Sequence, residues 1–208
     1  MAGIPLALLC AERLSARGRE VVLATSSDSS DDVLTALASE RGIKVTRGSL
    51  ENVADRFLQA SADMMDLDLL VRATADNPVP DGHLVESVLQ DFARFGGDYI
   101  GPRSYTGDLP KGLLVEVCRL GALRRSIAEG VDAGVREHVT LGLAGGPAIL
   151  NSLGCEAAGW LPRVNLSIDT LDDYLVAARA FGHAPCAART PWRAIVGRFA
   201  ALLSKSVA

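Results

Sequence analysis

Residues 67–78, LDLLVRATADNP, decide the fold, because an apolar run stops there at polar residues and a proline. The run from Leu67 to Val71 predicts a buried strand, and ligands of a parallel α/β sheet bind at the carboxyl ends of its strands. Asp76 follows this strand, where a carboxylate can hold a hard cation such as Mg2+ against a phosphate. Asp169 follows a second apolar run, Val164 to Ile168, in the same way. Two aspartates at strand ends indicate nucleotide chemistry.

Helical and strand patterns alternate along the rest of the chain. Helical patterns cover 5–16, 29–41, 51–62, 81–95 and 190–205 and begin near 120, 135 and 171, and strand patterns cover 20–25, 43–46, 67–73, 99–100, 113–118 and 164–168. Ser29 or Ser30 can cap the second helix, and Thr170 with Asp173 matches a capping box. The alternation predicts an α/β fold with a doubly wound, mostly parallel sheet and helices on both faces. We expect one domain over residues 1–208, with an amphipathic C-terminal helix.

The composition disfavours several classes of protein. The net charge is −4, whereas a general nucleic-acid binder needs clustered Lys and Arg. The apolar run Ile4 to Cys10 is far shorter than the roughly 20 residues of a membrane span. The cysteines Cys10, Cys118, Cys155 and Cys186 form no CxxC pair, which disfavours a zinc site or a disulfide framework. We therefore expect a cytoplasmic protein with no nucleic-acid or membrane partner.

Seven short motifs, in this order, resemble the cytidylyltransferase family. They are ATS at 24–26, RGS at 47–49, DRFLQA at 55–60, VRATADNP at 71–78, LLVEV at 113–117, REHVT at 136–140 and SIDTLDD at 167–173. The order is most similar to the SpsF-like branch of spore-coat polysaccharide synthesis, beside the acylneuraminate and related CMP-sugar synthetases. The resemblance implies a nucleotide-diphospho-sugar transferase-like fold and the transfer of CMP from CTP to a sugar or sugar acid, with Mg2+ as cofactor.

The resemblance also implies roles for individual residues. Asp76 and Asp169 would coordinate Mg2+ between phosphate and sugar oxygens. The residues expected to bind the nucleotide are Thr25, Ser26, Arg47 and Thr74. The residues expected to act in catalysis, Arg72 toward the phosphates and the others on the sugar side, are Arg72, Glu116, Arg136 and His138.

The residue patterns by themselves leave other roles open for some of these positions. Asp76 can be a turn aspartate, and Arg72 can pair with a carboxylate instead of a phosphate. His138 can be a structural hydrogen-bonding residue, and Glu116 can be an exposed edge residue. The acidic cluster at 28–32 favours a solvated helix N-terminus.

The chain departs from the family pattern at two places. Family members begin with a strand and a basic Gly/Ser loop that holds the triphosphate, and residues 2–6, AGIPL, resemble the stretch directly after that loop. We therefore expect the first strand and the loop to be missing and the sheet to be open between its neighbours. The SpsF-like branch also carries acidic residues where this chain has Lys111 and Leu114, so we expect its sugar contacts to differ.

Three functions fit these patterns. The first is a sugar nucleotidyltransferase that binds CTP or a CMP-sugar together with a sugar substrate, and that forms a homodimer as related enzymes do. The second is a catalytically dead member of the fold that binds sugar nucleotides or serves as a scaffold. The third is a GT-A-like glycosyltransferase, which also places aspartates and a metal at strand ends. Whether the chain is an enzyme is thus left open by the sequence.

Overall fold

The structure is a computed structural model that describes residues 1, 3–15, 18–106, 109–113, 115–130, 133–143, 149–150, 164–182 and 187–205. Its helices are α1 (Leu6–Leu14), α2 (Asp32–Glu40), α3 (Val53–Ala60), α4 (Gly82–Phe95), α5 (Leu120–Glu129), α6 (Ala133–His138), α7 (Leu171–Phe181) and α8 (Trp192–Lys205). Its strands are β1 (Val22–Ser26), β2 (Lys44–Gly48), β3 (Leu69–Arg72), β4 (Tyr99–Ile100), β5 (Tyr105–Thr106), β6 (Glu116–Arg119) and β7 (Ile149–Leu150). The prediction of an α/β fold is confirmed.

The described strands form three separate sheets. Strands β1 and β2 pair in parallel, as do the short β5 and β7. Strand β6 lies between β3 and β4 and runs antiparallel to both. Strands β3 and β4 do not pair with each other but run in the same direction on either side of β6, and α4 supplies the long crossover between them. The chain returns from β4 to β6 with no α-helix among the described residues of that segment, so an antiparallel pairing can form.

The prediction of a regular strand at 164–168 is wrong. Within this segment only Asn165 pairs with another segment in the manner of a strand, through an isolated parallel bridge to Lys111. The side-chain oxygen of Asn165 accepts the backbone N–H of Ser167 at 3.0 Å, which bends the chain in the manner of an Asx turn. Leu166 then donates to the carbonyl of Lys111, and Ile168 donates to the carbonyl of Asp76, each at 2.9 Å. The segment therefore joins two loops instead of following one strand.

The helix ends follow the sequence closely, with one correction. Asp81 caps α4 by accepting two backbone N–H groups, and the capping box between Thr170 and Asp173 at the start of α7 is confirmed. The predicted serine cap near residue 29 is wrong, because Asp28 accepts the backbone N–H of Ser30. Of the predicted first helix, Ala16 lies outside the described residues.

Helices α1, α7 and α8 share one apolar core. The predicted C-terminal helix is present as α8, and its buried side chains belong to this core; they are Trp192, Ile195, Val196 and Phe199. This is the packing expected of an amphipathic helix. No helix in the described part of the chain has the length and apolar character needed to cross a membrane.

Arg13 on α1 is a fully buried charge at the edge of this core. Its guanidinium donates to the carbonyls of Ala187 and Thr190 at 2.8 Å and to that of Val79 at 2.7 Å. It also lies 3.8 Å from the carboxylate of Asp81 and 5.3 Å from the ring centre of Phe181. Burial lowers the pKa of Arg13, and the Asp81 carboxylate acts in the opposite direction. These contacts join α1 to the segments that precede α4 and α8.

The Arg13→Met variant is expected to lose about 3–5 kcal/mol of unfolding free energy, because it leaves a buried carboxylate and several carbonyls without their partner. Urea unfolding followed by circular dichroism measures the loss. The matched control is Arg41→Met, since Arg41 pairs with Glu12 at 3.3 Å in a partly exposed position and should cost less than about 1 kcal/mol. Equal losses in the two variants would contradict the structural role of Arg13.

Candidate functional site

A cavity of about 480 Å³ lies at the carboxyl end of β3. Its polar and charged lining includes Arg72, Thr74, Asp76, Lys111, Glu116 and Ser167. The volume is within the range of small-molecule sites, which usually combine apolar walls with a few convergent polar groups. The cavity is therefore the candidate site, and it lies where the strand-end argument places a ligand.

Close packing of three segments forms the floor of this cavity. Gly112 adopts φ +80°, and a Cβ atom at this position would lie 2.6 Å from the backbone nitrogen of Ser167 and 2.7 Å from the side-chain oxygen of Asn77. A side chain at position 112 would be disfavoured by the left-handed backbone and would also clash with Ser167 and Asn77. Gly112 thus lets the loop before β6 contact both of the other segments.

Arg72 and Glu116 form a paired centre on one side of the cavity. They are directly opposite each other in the β3–β6 register, and their side chains form an ion pair that is largely shielded from solvent. The second carboxylate oxygen of Glu116 accepts the hydroxyl of Tyr99 at 2.6 Å and that of Thr140 at 2.8 Å. Of the roles left open by the sequence, Arg72 is thus a carboxylate partner in this state, and Glu116 is not an exposed edge residue.

Gly101 and Val139 shape the surroundings of this pair. A Cβ atom at Gly101 would lie 2.1 Å from the hydroxyl oxygen of Tyr99, so only glycine leaves room for the Tyr99 ring to reach Glu116. Val139 is buried and adopts φ +53°, an outlier for a β-branched residue. It directly precedes Thr140 and belongs to the turn that brings this hydroxyl to the carboxylate.

Asp76 and Lys111 line the other side of the cavity, and Asp169, which is not among the lining residues, contacts Lys111. The ammonium of Lys111 lies 2.7 Å from Oδ2 of Asp169. The hydrogen bond to Asp169 raises the pKa of Lys111, and the carboxylates of Asp76 and Asp173 act in the same direction. Oδ1 of Asp76 is buried and has no hydrogen-bond partner within the described chain.

This arrangement tests whether the residues fit the Mg2+ ion that the resemblance implies. The unpartnered oxygen of Asp76 suits a cation, but the carboxylate of Asp169 is already engaged by Lys111. Within the described ranges, no group of three or more His, Cys, Asp or Glu side chains is placed to hold a metal ion. The pair does not fit a divalent ion while the Lys111 contact is present, and the assignment of Asp76 and Asp169 as metal ligands stays a prediction.

Three of the residues expected to bind the nucleotide lie outside the cavity lining, at the carboxyl ends of β1 and β2. Oδ2 of Asp31 accepts the hydroxyls of Thr25 and Ser26, at 2.7 and 2.6 Å. Arg47 donates to the carbonyls of Ser26 and Asp28, both at 2.8 Å. The hydroxyls of Ser26 and Thr25 lower the pKa of Asp31, so the expectation that this acidic cluster is merely solvated is wrong for Asp31.

Of the remaining predicted residues, one lines the cavity and two do not. Thr74 lines the cavity and accepts the side-chain amide of Asn77 at 2.6 Å. Arg136 and His138 lie on α6 with exposed side chains and are not part of the cavity lining. The role of His138 and Arg136 on the sugar side therefore stays a prediction.

Sequence reasoning missed Tyr99, Thr140 and Ser167 as parts of the site. Tyr99 and Thr140 contact Glu116 across 17 and 24 positions of sequence, and no local pattern marks such contacts. Lys111 and Asp169 were each marked by the sequence, Lys111 as a departure from the family pattern and Asp169 as a strand-end aspartate, but nothing in the sequence indicated that they pair with each other. Leu114, the second departure, lies outside the described residues.

Helix α1 supports the turn that carries Asp76. The thiol of Cys10 donates to the carbonyl of Ala75 at 3.3 Å. Burial raises the pKa of Cys10 to about 12, and the negative charge of Asp76 acts in the same direction. Burial also raises the pKa of Cys118, on β6, to about 12. Cys155 and Cys186 lie outside the described residues.

Comparison with known proteins agrees with this fold. The family model described as cytidylyltransferase matches residues 1–101. Over 157 residues the chain is 33% identical to the "Spore coat polysaccharide biosynthesis protein SpsF" of Bacillus subtilis (strain 168) and 29% identical to an uncharacterized protein of Methanocaldococcus jannaschii. Each match covers 74% of this chain and 63% of the relative, so the chain spans less than two thirds of the length of these curated relatives.

A solved structure gives the same result for the fold. The structure of a cytidylyltransferase from Leptospira borgpetersenii serovar Hardjo-bovis (strain JB197) matches with a TM-score of 0.73 over 97% of this chain and 83% of that one, at 20% sequence identity. The chain has the α/β fold of that cytidylyltransferase, and its first 101 residues match the cytidylyltransferase family. Its similarity to the Bacillus protein agrees with the SpsF-like branch.

The Gly112→Ala variant is expected to lose more stability than strained backbone alone explains. A left-handed backbone at a non-glycine residue costs about 1–3 kcal/mol, and the contact with Ser167 adds to this. Gly42→Ala is the matched control, because Gly42 has φ +69° with open space around it. Urea unfolding measures both variants. If the two losses agree within error, the close approach of the loop at Gly112 is not supported.

The thiols of Cys10 and Cys118 are expected to resist alkylation by iodoacetamide in the folded protein at pH 8. Their pKa values near 12 leave almost no thiolate, whereas the ordinary value of 9.0 applies in the unfolded chain. By linkage, the stability that depends on these protonated thiols is complete below pH 9 and is lost as the pH rises toward 12. Peptide mapping by mass spectrometry, with and without urea, measures the labelling. Rapid native labelling at either position would contradict the assignment.

Proposed function

We propose that this chain transfers CMP from CTP to a sugar or sugar acid that is used for surface polysaccharide or glycoconjugate synthesis. The observation that carries the proposal is the unpartnered, buried Oδ1 of Asp76 in a cavity that also holds the Arg72–Glu116 pair. A buried acceptor without a donor is costly, and a ligand hydroxyl would satisfy it. The match of residues 1–101 to the cytidylyltransferase family and the similarity to a polysaccharide biosynthesis protein support this choice of chemistry.

In the proposed reaction a sugar hydroxyl attacks the α-phosphorus of CTP, a new P–O bond forms, and the bond to pyrophosphate breaks. Such transfer needs positioning and charge neutralisation more than covalent help from the protein. Asp76 would accept the hydroxyl hydrogen bond and receive the proton. Glu116 accepts three side-chain hydrogen bonds from this chain, and a carboxylate has about four lone-pair sites, so one site remains for a sugar hydroxyl.

Further features belong to the same proposal. We infer a cytoplasmic homodimer, and sedimentation at micromolar concentration that shows only a monomer would contradict it. Thr25, Ser26, Arg47 and Thr74 keep their proposed place near the nucleotide, and Arg136 and His138 near the sugar. Mg2+ is the cofactor implied by the family, but no step is assigned to it because Asp169 is engaged by Lys111.

A second candidate is binding of a sugar nucleotide without turnover. It is favoured because charged groups at the cavity already neutralise each other, Arg72 with Glu116 and Lys111 with Asp169. A triphosphate would have to share one of these cations with the carboxylate that already neutralises it.

Two measurements separate these candidates. A thermal-shift panel of CTP, CMP, other nucleotides and CMP-sugars, with and without Mg2+, reports which ligand binds the folded chain. Pyrophosphate release from CTP in the presence of a panel of sugars and sugar acids reports transfer, and a rate of about 1 per second or faster is typical of an enzyme. Binding without release supports the second candidate, and the absence of both overturns the two proposals.

The Glu116→Gln variant is expected to lower kcat/KM for pyrophosphate release at least about tenfold, since hydrogen bonds to a charged group contribute about 1.5–3 kcal/mol. If the chain binds without turnover, the same variant should lose the thermal shift caused by the ligand. Glu129→Gln is the control, because Glu129 is an exposed residue at the end of α5. An unchanged Glu116→Gln protein would exclude Glu116 from the site.

A further inference from the structure

Lys111 places a positive charge where the family resemblance predicts a divalent cation. Its ammonium lies 2.7 Å from Oδ2 of Asp169, and its side chain lines the same cavity as Asp76. Backbone hydrogen bonds fix these neighbours, because the carbonyl of Lys111 accepts from Leu166 and the carbonyl of Asp76 accepts from Ile168, each at 2.9 Å. The three charged residues therefore come from segments that are bonded directly to one another.

We propose that Lys111 is the resident cation of this cavity and that its ammonium excludes a divalent metal ion from the Asp76–Asp169 pair. The inference deepens the proposed function, on which it rests for the expectation of a metal, by assigning the positive charge of the site to a side chain. Phosphate oxygens of a nucleotide would then meet an ammonium, which binds them as a compact point charge.

Lys111 removes one carboxylate oxygen from those that a metal ion could use here. Mg2+ requires six oxygens in near-ideal octahedral geometry, supplied by one or two carboxylates together with waters or phosphates. Lys111 engages Oδ2 of Asp169, so a metal ion here would rely mainly on Asp76, whose Oδ1 is buried and has no hydrogen-bond partner within the described chain. Asp173 is nearby, but its Oδ2 accepts the N–H and the hydroxyl of Thr170 in the capping box.

The net charge of the three residues also disfavours a divalent ion while Lys111 is present. The two aspartates and Lys111 together carry a net charge of about −1, and removal of the ammonium makes it about −2 while freeing an oxygen of Asp169. A divalent ion gains from both changes. Lys111 is mostly exposed, so its substitution should leave the fold intact.

Isothermal titration of Mn2+ into the 208-residue chain, without nucleotide, tests the proposal. The variants are Lys111→Met, Lys111→Gln as a second neutral replacement, and Lys111→Met combined with Asp169→Asn. The control is Lys44→Met, because Lys44 is another exposed lysine and pairs with Glu20 at 3.1 Å. Circular dichroism confirms that each variant is folded.

Both single Lys111 variants are expected to bind Mn2+ at least about tenfold more tightly than the wild-type chain, and the combined variant should lose this gain. The Lys44 control should equal the wild type. Tight binding by the wild-type chain, no gain on removing Lys111, or a gain that survives loss of Asp169 would each overturn the proposal. Since no nucleotide is present, the result stands apart from whether the chain transfers CMP, which pyrophosphate release decides.

Discussion

The cavity depends on the contacts that the buried guanidinium of Arg13 makes with the segments around it. Through Val79 the guanidinium holds the backbone just after the turn that carries Asp76, and through Asp81 it holds the start of α4. Asp81 also accepts the backbone N–H of Trp192 at 2.8 Å, so α8 begins at the same place. One helical turn before Arg13, the thiol of Cys10 donates a hydrogen bond to the carbonyl of Ala75. Helix α1 therefore holds the loop that carries Asp76, and this packing sets the position of Asp76.

Much of the fold could be predicted from the sequence because its helices and strands carry local signals. The capping box at Thr170 and the alternation of apolar segments were sufficient for the α/β class. The insertion of β6 between β3 and β4 could not be predicted, because strand order depends on contacts between distant segments. The irregular backbone of residues 164–168 could not be predicted either, because an Asx turn at Asn165 interrupts an apolar pattern that is typical of a strand.

The candidate site could be predicted in part for the same reason. Arg72, Thr74 and Asp76 line the cavity because they lie at the carboxyl end of a strand, which the sequence marks, whereas Glu116, at the start of β6, was expected there only from the family resemblance. The partner of each charged side chain is set by tertiary packing and could not be predicted. Asp31 accepts hydroxyls that were expected to bind a nucleotide, and Asp169 pairs with Lys111, so two predicted roles now depend on contacts within the chain.

The antiparallel position of β6 has a consequence for the order of events during folding. Arg72 and Glu116 are separated by 44 positions, and Lys111 and Asp169 by 58, so both charged pairs close long loops. Closing such loops costs chain entropy before any contact compensates for it, and contacts of this kind slow folding. During synthesis, the cavity cannot be complete before residues 165–169 have left the ribosome, even though Asp76 and β3 emerge much earlier. A nascent chain shorter than this has the strand but no site.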